Sequence, residues 1–256
     1  MKWPLSITLI RHGQSTYNEL RQRKLSDPLY QKFIEEYGRG DSANLVALAQ
    51  KLRIKFALNV SDYDTPLSEI GHWQARQTGL LLSKNGAAVP DVILVSPYVR
   101  TRETLEELMW AWPALVQSKI DYDDRIREQE HGESLLYNDW RIFHALNPKQ
   151  REFRELMGPY WYQYPQGESV SMVRDRIRSI TDTLIREYAG MHVMMVTHHL
   201  TILSIRANFE RLSPEEFVRL DKEEKPVNCG VTFYWGDPSI GSDGRLVLEY
   251  YNRKLY

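Results

Sequence analysis

The sequence holds a single cysteine, Cys229, so no disulfide can form within the chain and no cysteine-based metal site can be built. That usage fits a reducing compartment. Neither charge is in excess: 33 Lys and Arg stand against 34 Asp and Glu, for a net charge of -1. Such a balance gives no electrostatic case for binding nucleic acid or a membrane surface, and an anionic substrate would need a local basic pocket. No apolar run approaches the ~20 residues needed to span a bilayer. A cleaved leader would remove Arg11-His12, so a cytoplasmic location is expected. There is no Walker-type glycine loop, no carboxylate cage for magnesium, no internal repeat and no low-complexity linker.

What is present is ordinary for a globular protein: 42% hydrophobic and 26% charged residues. Strand-like and helix-like segments alternate along the chain, which favours one domain over 1–256. The apolar run Ile7-Thr8-Leu9-Ile10 reads as a buried strand ending in Arg11-His12-Gly13-Gln14-Ser15. Strand ends of α/β sheets are where ligands bind. Arg11 can fork onto phosphate or carboxylate oxygens. His12 can act as a base or a covalent nucleophile, and Gly13 allows a tight turn beside a bound group. Ser15 suits an N-cap, with Asn18 in the first turn that follows.

Two further runs repeat the pattern. Pro90 to Ser96 reads as a buried strand that leads through Pro97-Tyr98-Val99 to Arg100. His192 to Val196 leads to Thr197-His198-His199. Adjacent residues cannot share a direction, so one of His198 and His199 at most faces a common site, and a histidine-only metal site is not expected. Arg102 reads as a solvated charge, and His72, His131, His144 and His192 as structural.

Pro28 to Tyr37 predicts a helix broken by Gly38 and Gly40, and Ser42 caps a second with Leu45, Leu48, Ala49 and Leu52 on one face. These helices either pack as a pair or wall a pocket. Ser68 caps another helix with Glu69 in its first turn. Val170, Val173, Ile177, Ile180 and Leu184 recur at helical spacing. Ser213-Pro214-Glu215-Glu216 is a capping box, and Val231–Trp235 and Leu246–Tyr251 read as a closing hairpin. Within the charged stretch Asp124 to Glu133, one of Glu128, Glu130 and Glu133 could donate a proton. Position alone does not choose among them. The aromatic stretch Trp140 to Tyr164 suits a core or a pocket rim, and Tyr160 to Tyr164 is taken as rim because no period sorts it.

These motifs together resemble the histidine phosphatase superfamily, the phosphoglycerate mutase-like proteins. The residues that carry the likeness are Arg11-His12-Gly13-Gln14-Ser15 with Asn18, Leu67-Ser68 with Gly71, and Ser96 to Thr101. They continue with Arg127-Glu128 and Gly132, Gly167-Glu168-Ser169, and Thr197-His198. They follow the family's order over nearly the whole chain. The resemblance implies a three-layer α/β/α sandwich with a mostly parallel sheet and helical insertions over the active site. It makes His12 the nucleophile that becomes phosphohistidine. It makes Arg11, Arg100 and His198 phosphate ligands, with Asn18 lining the pocket. The family's acid lies four residues before the glycine, which selects Glu128. No metal or other cofactor is implied. His199, the long insert between Asn18 and Asp64, and the Trp140–Tyr164 stretch depart from the compact pattern.

The expected activity is metal-independent hydrolysis of a small phosphate ester. A cofactor-dependent mutase and a non-catalytic phosphate-binding protein are the alternatives. Neither a nucleic acid nor a membrane is expected as partner, and the oligomeric state, a homodimer included, stays open.

Overall fold

The computed structural model describes residues 2–40 and 42–256. In chain order the elements begin with β1 (Ser6–Arg11), α1 (Thr16–Leu25), α2 (Pro28–Arg39), α3 (Ala43–Lys55) and α4 (Glu69–Lys84). They continue with β2 (Val92–Val95), α5 (Val99–Ala111), β3 (Lys119–Tyr122), α6 (Trp140–Leu146) and α7 (Pro148–Met157). The last are α8 (Val170–Glu187), β4 (His192–Thr197), α9 (His199–Phe209), α10 (Pro214–Glu223), β5 (Val231–Asp237) and β6 (Arg245–Arg253). The chain divides into two compact units, one of Met1–Ser15, Tyr63–Glu128 and Val173–Tyr256, the other of Thr16–Asp62 and Gln129–Met172.

The first unit contains one sheet in the order β3-β2-β4-β1-β5-β6. β3, β2, β4 and β1 run parallel, and β5 is antiparallel to both β1 and β6. The apolar runs of β2 and β4 follow from burial on both faces, as parallel strands require. On one face Ile7, Leu9, Val193 and Met195 pack with Ile177 and Ile180 of α8 and Ile202 and Ile205 of α9. On the other, Ile10, Ile93, Met194 and Val196 pack with Leu82 of α4 and Leu105 and Leu108 of α5. The sheet therefore lies between two helical layers, the mostly parallel α/β/α sandwich expected.

That arrangement positions the strand ends. Register pairs Arg11 with Thr197 and Val95 with Val196. The residues following β1, β2 and β4 emerge side by side at the carboxyl edge of the sheet.

The second unit is helical. Tyr30 and Phe33 of α2, Leu45, Leu48, Ala49 and Leu52 of α3, and Ile142 and Ala145 of α6 form its core. Asp27 and Ser42 cap α2 and α3. Gly38 does not break α2, which continues through Arg39 to Gly40, where φ is 114°. A lone helical glycine costs only about 1 kcal/mol, whereas the positive φ at Gly40 ends the helix outright. Lys24 Nζ donates to the Asn138 carbonyl at 2.7 Å and pairs with Asp139 at 2.8 Å, both side chains buried.

The expectation of a tyrosine rim is corrected here. Tyr162 and Tyr164 pack on Phe143 in a buried cluster. Tyr160 is also buried, while Trp161 between them is 53% exposed. Every second residue turns inward, so a period of two does sort this stretch.

Candidate active site

β1 delivers Arg11 and then His12, which is 3% exposed. Three hydrogen bonds, from two segments, fix the His12 backbone. Its N–H donates to the Thr197 carbonyl at 2.9 Å, and its carbonyl accepts from Asn228 Nδ2 at 3.1 Å and from the Cys229 N–H at 3.3 Å. The imidazole Nδ1 lies 2.7 Å from the Gly13 carbonyl oxygen. A carbonyl only accepts, so Nδ1 carries the proton and Nε2 keeps its lone pair. Burial, then the charges of Arg100 and Arg11, hold the ring well below the usual histidine range, as a neutral base.

The loop after His12 is set by contact between two glycines. A Cβ on Gly13 would stand 2.5 Å from the Gly71 carbonyl oxygen, and one on Gly71 would stand 2.1 Å from that of Gln14. Close backbone approach, rather than a turn around a ligand, is what Gly13 serves. Ser68 caps α4 by accepting from the Gly71 N–H, and its hydroxyl donates to Gln14 Oε1 at 2.8 Å. The Gly13 N–H donates to Thr104 Oγ1 at 3.0 Å. An alanine inside a helix ordinarily gains about 1 kcal/mol over glycine. At Gly71 the clash with fixed backbone overrides that gain. Gly71→Ala is expected to lose about 3 kcal/mol or more, read from urea denaturation.

Around the His12 ring stand a second imidazole and a guanidinium. His198 is fully buried, with its ring centroid 5.2 Å from that of His12. Its Nε2 lies 2.7 Å from Ser96 Oγ, and its Nδ1 has no hydrogen-bond partner among the described residues. Burial and then the nearby Arg100 charge lower its pKa well below the ordinary value. Arg100 is 5% exposed, with its guanidinium carbon 4.7 Å from the Tyr98 ring centroid. Tyr98 in turn meets the His198 ring edge-on at 5.0 Å. Arg11 donates from Nη1 to the Pro226 carbonyl at 2.8 Å.

Glu128 belongs to the same unit. Its Oε1 accepts from the Leu200 N–H at 3.2 Å, in the first turn of α9. A carboxylate is favoured there by the free amides and dipole of a helix start. The segment leading to it is clamped along β4 and α9: Thr197 donates to the Ile126 carbonyl and Thr201 to the Arg127 carbonyl, each at 2.6 Å. Arg176 of α8 donates to the Glu128 carbonyl at 2.9 Å.

The first unit thus holds Arg11, His12, Arg100, Glu128 and His198, while Asn18, on α1, belongs to the second, as do Glu130 and Glu133 on a different segment. His199 turns away, its Nε2 lying 2.7 Å from Asp221 Oδ1. Ser96, Thr104, Arg176 and Asn228 were not anticipated as site residues. Ser96 and Thr104 could have been found from their places beside Arg100. Asn228 carries no sequence signal, because its role follows from the position of the β5 entry loop. Among the described residues no group of three or more His, Cys, Asp or Glu is placed to hold a metal ion. No helix among them is long and apolar enough to cross a membrane.

A family model described as histidine phosphatase superfamily (branch 1) matches residues 59–234, a span that starts after Arg11-His12. Phosphoglycerate mutase-like protein AT74H of Arabidopsis thaliana is 28% identical over 62% of this chain and 61% of its own length. The chain thus spans under two thirds of that relative. By fold, a mycobacterial glucosyl-3-phosphoglycerate phosphatase solved with inorganic phosphate is similar at a TM-score of 0.63, with 20% identity and 98% of each chain covered. YhfR of Bacillus stearothermophilus is similar at 0.64, with 19% identity over 98% of this chain and 99% of its own.

Proposed function

Because the chain belongs to the histidine phosphatase superfamily (branch 1), we propose that it hydrolyses a small phosphate monoester through a phosphohistidine at His12, with no metal ion. The observation that carries this reading is the Nδ1–H bond from His12 to the Gly13 carbonyl at 2.7 Å, in a ring held neutral. That bond leaves Nε2 as the nucleophile. Nε2 attacks phosphorus in line, and the P–O bond to the leaving group breaks as the N–P bond forms. Arg100 and Arg11 neutralise the equatorial oxygens. The Ser96 hydroxyl donates to His198 Nε2, which leaves Nδ1–H to bond the phosphoryl group. Glu128 protonates the leaving oxygen and then takes a proton from the water that cleaves the N–P bond. Asn18 is assigned to phosphate binding on the family motif alone.

The resemblance to a protein named phosphoglycerate mutase-like favours one second reading, return of the phosphoryl group to substrate. Assay of p-nitrophenyl phosphate, sugar phosphates, nucleotides and 3-phosphoglycerate in chelator separates the two. Phosphate release is expected. Isomerisation of 3-phosphoglycerate without release would establish the mutase, and dependence on added metal would overturn the metal-free step.

The lowered pKa of His12 has a sign that can be read in kinetics. An unperturbed histidine would be half protonated near pH 6.5 and about tenfold depleted of base one unit lower. Here kcat/KM, corrected for the ionisation of p-nitrophenyl phosphate, should hold as pH falls from 7 through 6. A drop of about fivefold between pH 6.5 and 5.5 would contradict a neutral His12.

A further inference from the structure

At the opposite edge of the sheet from His12, the amino ends of β1 and β4 open into a cavity of about 490 Å³. This lies within the range of small-molecule sites, about 300–1,000 Å³. The register explains why it exists. Thr8 pairs with Met194 and Phe233, and Phe233 pairs with Tyr250, so these side chains form one row on the face that carries α4 and α5. Leu82, the turn Asn85 to Ala88, and Trp112 roof the row over β1 and β4. The β5 and β6 end is less covered: Phe233 is only half-buried and Trp235 is 39% exposed.

The lining is aromatic and carries unspent polar groups. Phe233 and Tyr250 stack at 5.6 Å with 20° between planes, and Trp112 is 4% exposed. Arg253 lies over Tyr250, its guanidinium carbon 4.0 Å from the ring centroid. Glu249 lines the same cavity. Among the described residues neither Glu249 nor Arg253 forms an ion pair, with the other or with anything else. His192 Nδ1 lies 2.8 Å from Ser6 Oγ, which leaves its Nε2 for a ligand.

These groups select a chemistry by elimination. A neutral aromatic would use neither of the two charges, which are exposed to solvent. A plain anion would meet Glu249, and a plain cation would meet Arg253. A flat ring that carries both an ammonium and a carboxylate matches the stacked rings and the two charges together. We propose that this cavity is a binding site for a small aromatic zwitterion of the aromatic α-amino acid class, separate from the phosphoryl site.

The test uses L-phenylalanine, phenylacetate and phenethylamine as probes, with binding to the full chain followed by ligand-observed NMR and calorimetry. L-Phenylalanine should bind saturably and about tenfold or more tightly than either singly charged probe. Arg253→Glu reverses an exposed charge and should weaken it by a similar factor, with p-nitrophenyl phosphate turnover unchanged. Ala88→Trp fills the exposed roof and should abolish binding independently. His12→Ala should bind L-phenylalanine as the wild type does, and inorganic phosphate should not displace it. The proposal is overturned by absence of saturable binding, by equal affinity for the three probes, by indifference to both cavity variants, or by displacement with phosphate.

Discussion

His12→Ala should lower turnover of p-nitrophenyl phosphate by about four orders of magnitude or more, since removing a nucleophile removes the covalent route entirely. No neighbour can replace it. The His198 ring is engaged through Nε2 with Ser96, and Arg100 and Arg11 are permanently protonated. The loss should fall on kcat, because the guanidiniums to which phosphate binding is assigned remain. Quenched wild-type enzyme should carry the mass of one phosphoryl group, stable to base and labile to acid, and the variant none. Retention of turnover within tenfold would remove His12 from the chemistry, and with it the proposed reaction.

The second large effect is at Glu128. Glu128→Gln keeps an oxygen for the Leu200 N–H at the start of α9 but cannot donate or take a proton. A general acid contributes about 10²–10⁴-fold. The fall in kcat should be greatest for alkyl phosphates, whose leaving oxygens are strongly basic, and smaller for p-nitrophenyl phosphate, whose leaving group departs as a stable phenolate. Glu130→Gln is the control. Glu130 is exposed and belongs to the other unit. Equal losses in the two variants, or a loss independent of the leaving group, would reject Glu128 as the acid.

How far this site could be read from sequence depended on the range of the interactions involved. The strands were legible because Val92–Val95 and Val193–Val196 are buried on both faces and so are unbroken apolar runs. Their ends marked Arg11, Arg100 and His198 for the same reason. Caps at Ser42, Ser68 and Ser213 were legible because a cap is a contact within three residues. The tyrosine stretch reads as a rim when no period is recognised in it, although its residues alternate inward and outward. The purpose of Gly13 was misread because its constraint is the carbonyl of Gly71, on a helix far along the chain. Asn228 acts through a hydrogen bond that exists only once β1 and the β5 entry are aligned, and local pattern contains no trace of that alignment.

The central place of β1 also governs how the molecule is made. β1 finds its nearest partners in β4 and β5, both made much later, and the Ser6–His192 contact spans 186 residues. At about 5–20 residues per second, β1 leaves the ribosome roughly 10 to 40 s before β4 exists to receive it. Local pairing cannot shorten that wait, since no earlier strand borders β1 in the sheet. A nascent chain therefore carries its Ile7–Ile10 run exposed through most of translation, a natural hold for a chaperone. On the proposed reaction, a ribosome-stalled chain that ends before Val231 should contain every helix of the second unit and show no phosphatase activity.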